Sequence, residues 1–290
     1  MKETMSKQPA ADIGRQHARE VSSGERFEFG KNWAAFLESL NEERIAEARR
    51  SLAEMLETDS LAGRRFLDIG SGSGLFSLAA RGMGASVLSF DYDTHSAECT
   101  RELRRRYFPG DPAWTVEHGS VLDKAYLAQL GQFDIVYSWG VLHHTGAMWQ
   151  ALENIVPLVA PKGKLFIALY NDQGGPSRRW LWVKRTYCKY PPLRYPLLIG
   201  SAWRLLWRSL LKDLLLLRPG RTFRQYRKDR RGMSLWRDIV DWVGGYPFEV
   251  AKAEEVLAFY RRRGFVLINL ITDNDIGCNQ FVFLNHGEIL

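Results

Sequence analysis

The sequence of 290 residues has few cysteines, and the three present, Cys99, Cys188 and Cys278, lie far apart. That spacing gives no disulfide framework, redox pair or zinc cluster, and it fits reduced thiols in a cytosol. No apolar run approaches the ~18 residues of a membrane-spanning helix. The opening stretch MKETMSKQPAADIGRQ lacks the apolar core of a secretory signal, so a cytoplasmic location is expected. Internal repeats and low-complexity tracts are absent. No His/Cys/Asp set has metal-ligand spacing, so no metal is expected. What is there is 46% hydrophobic and 25% charged, the composition of a globular protein with room for one large core, or a core and a small cap.

Glycine is spent unevenly. In FLDIGSGSGLFSLAA (Phe66 to Ala80) an apolar strand, Arg65 to Ile69, runs into Gly70, Gly72 and Gly74. A helix, Leu75 to Met83, follows and is stopped at Gly84. Three alternating glycines cost backbone entropy and supply no packing, so they point to backbone brought close to a ligand. The crevice at the carboxyl end of such a strand is where open α/β sheets bind ligands, and helix-start N–H groups there receive negative groups. Leu75 stands where the dinucleotide fingerprint needs its last glycine, and Leu75 and Phe76 exclude the Lys-Ser/Thr pair of a P-loop.

Further strands are expected at SVLSFDYD (Ser86 to Asp93), WTVEHGSVLD (Trp114 to Asp123, including its exit loop), FDIVYSWGVLHH (Phe133 to His144, including its loop) and GKLFIALYN (Gly163 to Asn171). Helices are expected at Trp33 to Leu56, Thr94 to Tyr107, Trp149 to Val159 with a break near Pro157, and Ala251 to Arg263. Strands alternating with helices give a parallel, doubly wound α/β sheet. The last two strands, FVLINLITD and NQFVFLN, are too close in sequence for a crossover helix and pair antiparallel. Met1 to Gly24 is expected to be mobile.

Asp68 followed by Gly70, Gly72 and Gly74 resembles the first motif of the class I S-adenosylmethionine-dependent methyltransferases. SWGVLHHTG and the closing GCNQFVF resemble the bacterial small-molecule, polyprenylphenol-methylase-like branch. The resemblance covers about Asn32 to Asn171 and Ala251 to Asn285. It implies a mostly parallel seven-stranded sheet with an antiparallel C-terminal strand, and S-adenosylmethionine as cofactor, its methionine part on the glycine loop. Cofactor contacts are then expected at Asp68, Gly70, Ser71, Gly72, Gly74, Asp91, Tyr92, Ser120, Val121 and Ser138. Asp91 ends the second strand, where an acid can accept both ribose hydroxyls, a signal that NAD sites share. Ser120 stands where such enzymes often place an acid near the adenine.

His143 and His144 follow the fourth strand, where the methyl should face its acceptor. Histidine titrates near neutrality and can take a proton from a hydroxyl, so a rate rising through the neutral range is expected. Tyr170 and Asn171, at the fifth strand's end, are second candidates for holding the acceptor. Each of these has a purely structural alternative in packing, capping or strand-end polarity.

The net charge of +7 is concentrated. Asp172 to Gly244 holds seventeen Lys/Arg against five acids and six of the ten tryptophans. SAWRLLWRSLLKDLLLL sets Arg204, Arg208 and Lys212 four apart beside Trp203 and Trp207. This is a basic amphipathic helix. It can be a cap over the site, a peripheral membrane or lipid contact, or, less readily, a nucleic-acid surface with RTFRQYRKDRR (Arg221 to Arg231). The expected division is 1–31 as a mobile N-terminal segment or lid, 32–171 with 245–290 as the α/β domain, and 172–244 as a helical cap insertion. The functional expectation is methyl transfer to a small lipophilic or aromatic hydroxyl. The alternatives are an enzyme acting on small thiols or sulfide, and a non-catalytic membrane- or RNA-binding protein. Oligomeric state and acceptor atom are left open.

Overall fold

The computed structural model describes residues 10–30, 37, 40–216, 235–273 and 277–287. Its centre is a seven-stranded sheet in the order β3-β2-β1-β4-β5-β7-β6. The strands are β1 (Arg65–Ile69), β2 (Ser86–Asp91), β3 (Trp114–His118), β4 (Phe133–Trp139), β5 (Val159–Tyr170), β6 (Phe265–Ile271) and β7 (Cys278–Asn285). The first five pair in parallel, and β7 pairs antiparallel with both β5 and β6. The closing hairpin therefore matches the expectation from its short connection.

Alternation along the strands sorts the core into two layers. Phe66, Ile135, Tyr137 and Phe166 face one side, under α2 (Glu42–Leu56), α3 (Leu75–Gly82) and α4 (Thr94–Tyr107), where Leu52, Leu78 and Leu103 are buried. Leu67, Val136 and Ile167 face the other, under α5 (Lys124–Leu130), α6 (Met148–Ile155) and α10 (Ala253–Arg261), with Tyr126, Leu152 and Val256. Each such side chain contributes about 1.5–3 kcal/mol by leaving water.

Three elements differ from the sequence reading. The N-terminal stretch expected to be mobile contains a helix, α1 (Ala10–Ser22), whose Ile13 and His17 are buried. Helix α5 went unread; Asp123 starts it by accepting hydrogen bonds from the Ala125 and Tyr126 amides. Strand β5 begins at Val159 rather than Gly163, because a register shift against β4 and a positive φ of 61° at Lys162 carry the ladder past Pro161. The first half of the helix expected from Trp33 lies mostly outside the described residues, as does Arg221 to Arg231.

The basic segment forms α7 (Gly175–Lys189), α8 (Arg194–Leu215) and α9 (Leu235–Gly244). They share a third apolar cluster of Trp180, Tyr187, Leu198, Ile239, Val243 and Phe248. Arg178, Arg179, Arg185, Lys189 and Arg204 are turned outward and exposed, whereas Lys184 and Asp213 are buried.

Candidate active site

The carboxyl ends of β1 to β5 open into one cleft of ≈ 1770 Å³. On its β1 side the chain turns through Gly70, Gly72 and Gly74, all at positive φ (74°, 55° and 81°). A Cβ on Gly70 would sit 2.4 Å from Cγ1 of Val141, and one on Gly74 would meet Thr100 at 2.9 Å. Two of these glycines are thus fixed by packing as well as by backbone conformation. Gly70, Ser71 and Gly72 line the cleft, whereas Gly74 lies behind them at the start of α3. The Ser71 hydroxyl is 2.8 Å from that of Thr100.

Asp68 is buried and accepts a hydrogen bond of 2.5 Å from the Ser77 hydroxyl, tying β1 to α3. Burial pushes its carboxyl up to about 7. Asp91 ends the neighbouring strand, β2. One oxygen accepts from the Gly72 amide at 2.9 Å, the other from the Asp93 amide at 2.9 Å. Burial raises this carboxyl too, to about 7, against the pull of those two amides. Tyr92, Ser120 and Val121 complete this end of the cleft. Ser138 does not belong to it: the side chain is wholly buried and its hydroxyl donates to the Ile69 carbonyl at 3.0 Å. It braces β4 against β1, because alternation turns it away from the opening.

The paired histidines separate. His144 and Tyr170 line the cleft; His143 does not. His143 is wholly buried, with Nδ1 accepting from the Tyr170 amide at 3.3 Å and its ring 3.9 Å from that of Tyr170. Nδ1 of His144 lies 2.6 Å from the Pro247 carbonyl oxygen, which can only accept. Nδ1 therefore carries the proton, and Nε2 is left as a lone pair. Burial, with Lys184 and Arg26 nearby, drives the His144 imidazole down to about 3. A ring so depressed would already be neutral there, so it gives no source for the expected rise in rate through the neutral range.

The opposite wall comes from parts of the chain that local patterning did not connect. Arg26 donates to the His144 carbonyl at 2.8 Å, holds Glu20 at 2.7 Å and lies over the Tyr92 ring at 4.9 Å. The Tyr92 hydroxyl donates to Glu20 at 2.9 Å. The N-terminal segment thus straps the exit of β2 to the loop after β4. Phe29 packs on His144 with ring centroids 5.0 Å apart. From the basic segment, Leu205, Leu206, Ile239 and Trp242 face the cleft. Alternating aromatics in RFEFG were the available signal for the strap. Nothing in the local pattern of α8 or α9 marks which face meets the cleft.

A family model described as a methyltransferase domain matches residues 40–226. The chain belongs to that family. Its members use S-adenosylmethionine, and the residues present fit that cofactor: the glycine turn leaves backbone facing the cleft, and Asp91 offers a carboxylate beside it. Among curated relatives, a tRNA U34 carboxymethyltransferase of Methylococcus capsulatus is 33% identical over 41% of this chain and 36% of its own length. A ubiquinone biosynthesis O-methyltransferase of Sinorhizobium fredii is 32% identical over 47% of this chain and 54% of its own. The matches thus span between about a third and a half of those relatives. Among solved structures, a magnesium protoporphyrin IX methyltransferase from Synechocystis with bound S-adenosylhomocysteine aligns with a TM-score of 0.49 at 14% identity, covering 83% of each chain.

Within this methyltransferase fold, the glycine turn, Asp91 and the β3 exit form one end of the cleft, and the aromatic wall forms the other. Among the described residues no group of His, Cys, Asp and Glu could hold a metal ion.

Proposed function

We propose that this chain is an S-adenosylmethionine-dependent methyltransferase acting on a small, lipophilic or aromatic hydroxyl acceptor. One observation carries the reading: His144, with an unprotonated Nε2, lines the same cleft as the glycine turn and Asp91 and stands among apolar and aromatic walls. Asp91 would take the ribose hydroxyls, the Gly70–Gly72 backbone the amino-acid part, and Ser120 and Val121 the adenine edge. The cofactor supplies an electrophilic methyl on a sulfonium.

The protein's share is alignment and exclusion of water. Phe27, Phe29, Tyr170 and Trp242 would clasp the acceptor, and the indole N–H of Trp242, buried with no hydrogen-bond partner among the described residues, would give that wall a polar handle. Nε2 of His144 accepts a hydrogen bond from the acceptor hydroxyl and receives its proton as the oxygen gains the methyl. Pro247 holds the ring in that tautomer. A base this weak keeps the proton briefly and passes it to solvent. In this reading residues 32–171 with 245–290 are the catalytic domain, 172–244 a cap, and the N-terminal segment a lid closed by Arg26.

The test is transfer of a labelled methyl group by purified protein to a panel of phenols, aliphatic alcohols, sugars and thiols. Labelling confined to hydrophobic hydroxyl compounds is the expected result. Labelling of thiols alone overturns the acceptor class, and no labelling together with intact cofactor binding overturns the enzyme reading.

A further inference from the structure

One face of α8 is unlike the rest of the surface. Tyr195, Ile199, Trp203, Leu211 and Leu215 are exposed by 74, 65, 68, 46 and 75%, and Trp207, at 39%, completes a spacing of four. Residues four apart form a ridge that slants around the helix. Ile199 to Leu211 sweep an arc of about 120°, and the whole row runs about 30 Å. The other side of the same helix carries buried Leu198 and the cleft-facing Leu205, and Leu206, about 20° round from Ile199, also reaches the cleft. Among the described residues the ridge is thus set mainly to the outside of the buried cluster that α8 shares with α7 and α9.

Cations border it. Arg204 follows Trp203, Lys212 follows Leu211, and both are exposed. Between α7 and α8 runs a groove of ≈ 190 Å³ rimmed by Arg179 and Arg204 and floored by Trp180 and Val183. No helix among the described residues is long and apolar enough to cross a membrane. A row of tryptophan and aliphatic side chains beside arginines and a lysine is the chemistry of a helix lying in a bilayer interface. RNA would match the cations but gains nothing from Ile199, Leu211 and Leu215, which have no flat face for a base to stack on.

We infer that the outer face of α8 docks the protein on an anionic lipid bilayer, its apolar ridge entering the headgroup boundary and Arg179 and Arg204 meeting lipid phosphates. This surface stands apart from the acceptor's identity. The inner face of α8 walls the cleft, so docking also sets the cleft close to the lipid.

The experiment is flotation of the full chain with vesicles of phosphatidylglycerol mixed with phosphatidylcholine, and with phosphatidylcholine vesicles alone. The protein should float with the anionic vesicles and much less with the neutral ones. The double variant I199E/W203E should lower partitioning by roughly tenfold or more. The variant R179E/R204E should lower it by about fivefold per cation, and salt should weaken the wild type. Both variants should keep the wild-type melting midpoint and bind S-adenosylmethionine as before, since none of the four residues lines the cleft. No flotation with anionic vesicles overturns the proposal, and so does undiminished flotation of I199E/W203E. A dimer in solution that I199E/W203E dissociates would assign the ridge to a second copy instead. Tight RNA binding that only R179E/R204E weakens would assign the cations to nucleic acid.

Discussion

Gly70 and Gly63 have almost the same backbone, φ of 74° and 73°, but opposite surroundings. A Cβ on Gly63 meets nothing within 4 Å among the described residues. A Cβ on Gly70 would lie 2.4, 2.6 and 2.9 Å from Cγ1, Cγ2 and Cβ of Val141. Gly63→Ala should therefore cost only the left-handed strain, about 1–2 kcal/mol. Gly70→Ala should cost that plus an overpacking term of about 1–3 kcal/mol, because the obstacle is a branched side chain close to its own backbone. The sum is ~2–5 kcal/mol. In a chain of this size that lowers the melting midpoint by roughly 1.5–2 °C per kcal/mol. Val141→Ala removes both γ-carbons and leaves the single 2.9 Å approach. The double variant G70A/V141A should regain most of the overpacking term, and a double-mutant cycle of urea or thermal unfolding reads that coupling. Equal losses for G63A and G70A, or additive losses in the cycle, would refute the argument that Gly70 is there to let the β1 exit pass Val141.

Other consequences follow from the site. Asp91→Asn should weaken S-adenosylmethionine binding about 10–100-fold in calorimetry, the worth of hydrogen bonds to a charged acceptor; because the wild-type carboxyl sits at about 7, affinity should also climb as pH rises through neutrality, and a flat profile would count against it. Lys184 is buried, donates to the Trp242 carbonyl and lies 4.1 Å from the centre of that ring, and burial lowers its ammonium to about 7. The folded state then releases this proton between pH 7 and 10.5 while the unfolded chain keeps it, so the group makes stability rise with pH across that window. Lys184→Met should abolish that rise in a series of denaturant titrations; a retained rise would assign it elsewhere. On the proposed mechanism His144→Ala should lower kcat with cofactor affinity intact, by less than the ~10²–10⁴ of a base matched to neutral pH, because this ring is so weak a base. The wild-type profile should show no ionisation near pH 6.5 traceable to this ring, and a step there that vanishes in the variant would contradict its depressed basicity.

The parts of the fold legible in the sequence are those that local periodicity determines. Apolar runs ended by glycines, acids or turn residues give β1 to β5, and the brevity of the link between β6 and β7 gives their antiparallel pairing. The missed helix α5 has only seven residues, too few for a helical period to stand out. Its signal was the cap, Asp123, which read as the tail of a strand loop. The N-terminal helix was hidden for another reason. Polar and charged residues dominate it, and its burial rests on Ile13 and His17 meeting a surface that only the finished sheet provides.

The same distinction divides the candidate site. Its cofactor end is short-range: Gly72 and Asp91, joined by one hydrogen bond, are 19 residues apart and belong to adjoining strand exits. A spacing rule can capture that, since a strand, a turn, a helix and the next strand bring the chain back by a nearly fixed path. The end proposed to take the acceptor is long-range. Arg26 reaches the His144 carbonyl across 118 residues, and Lys184 reaches Trp242 across 58. Those contacts depend on where two added segments come to rest on the sheet, which neither alternation nor glycine spacing encodes. The choice between His143 and His144 turned on the same information. Both follow the same strand, but the hairpin of turns after β4 rotates one ring into the core beneath Tyr170 and leaves the other to face Phe29. On the proposed reading acceptor specificity would reside in the pieces added to the fold, and substitutions in the strap or in α8 and α9 are the ones that should change which acceptor is used while leaving the cofactor end intact.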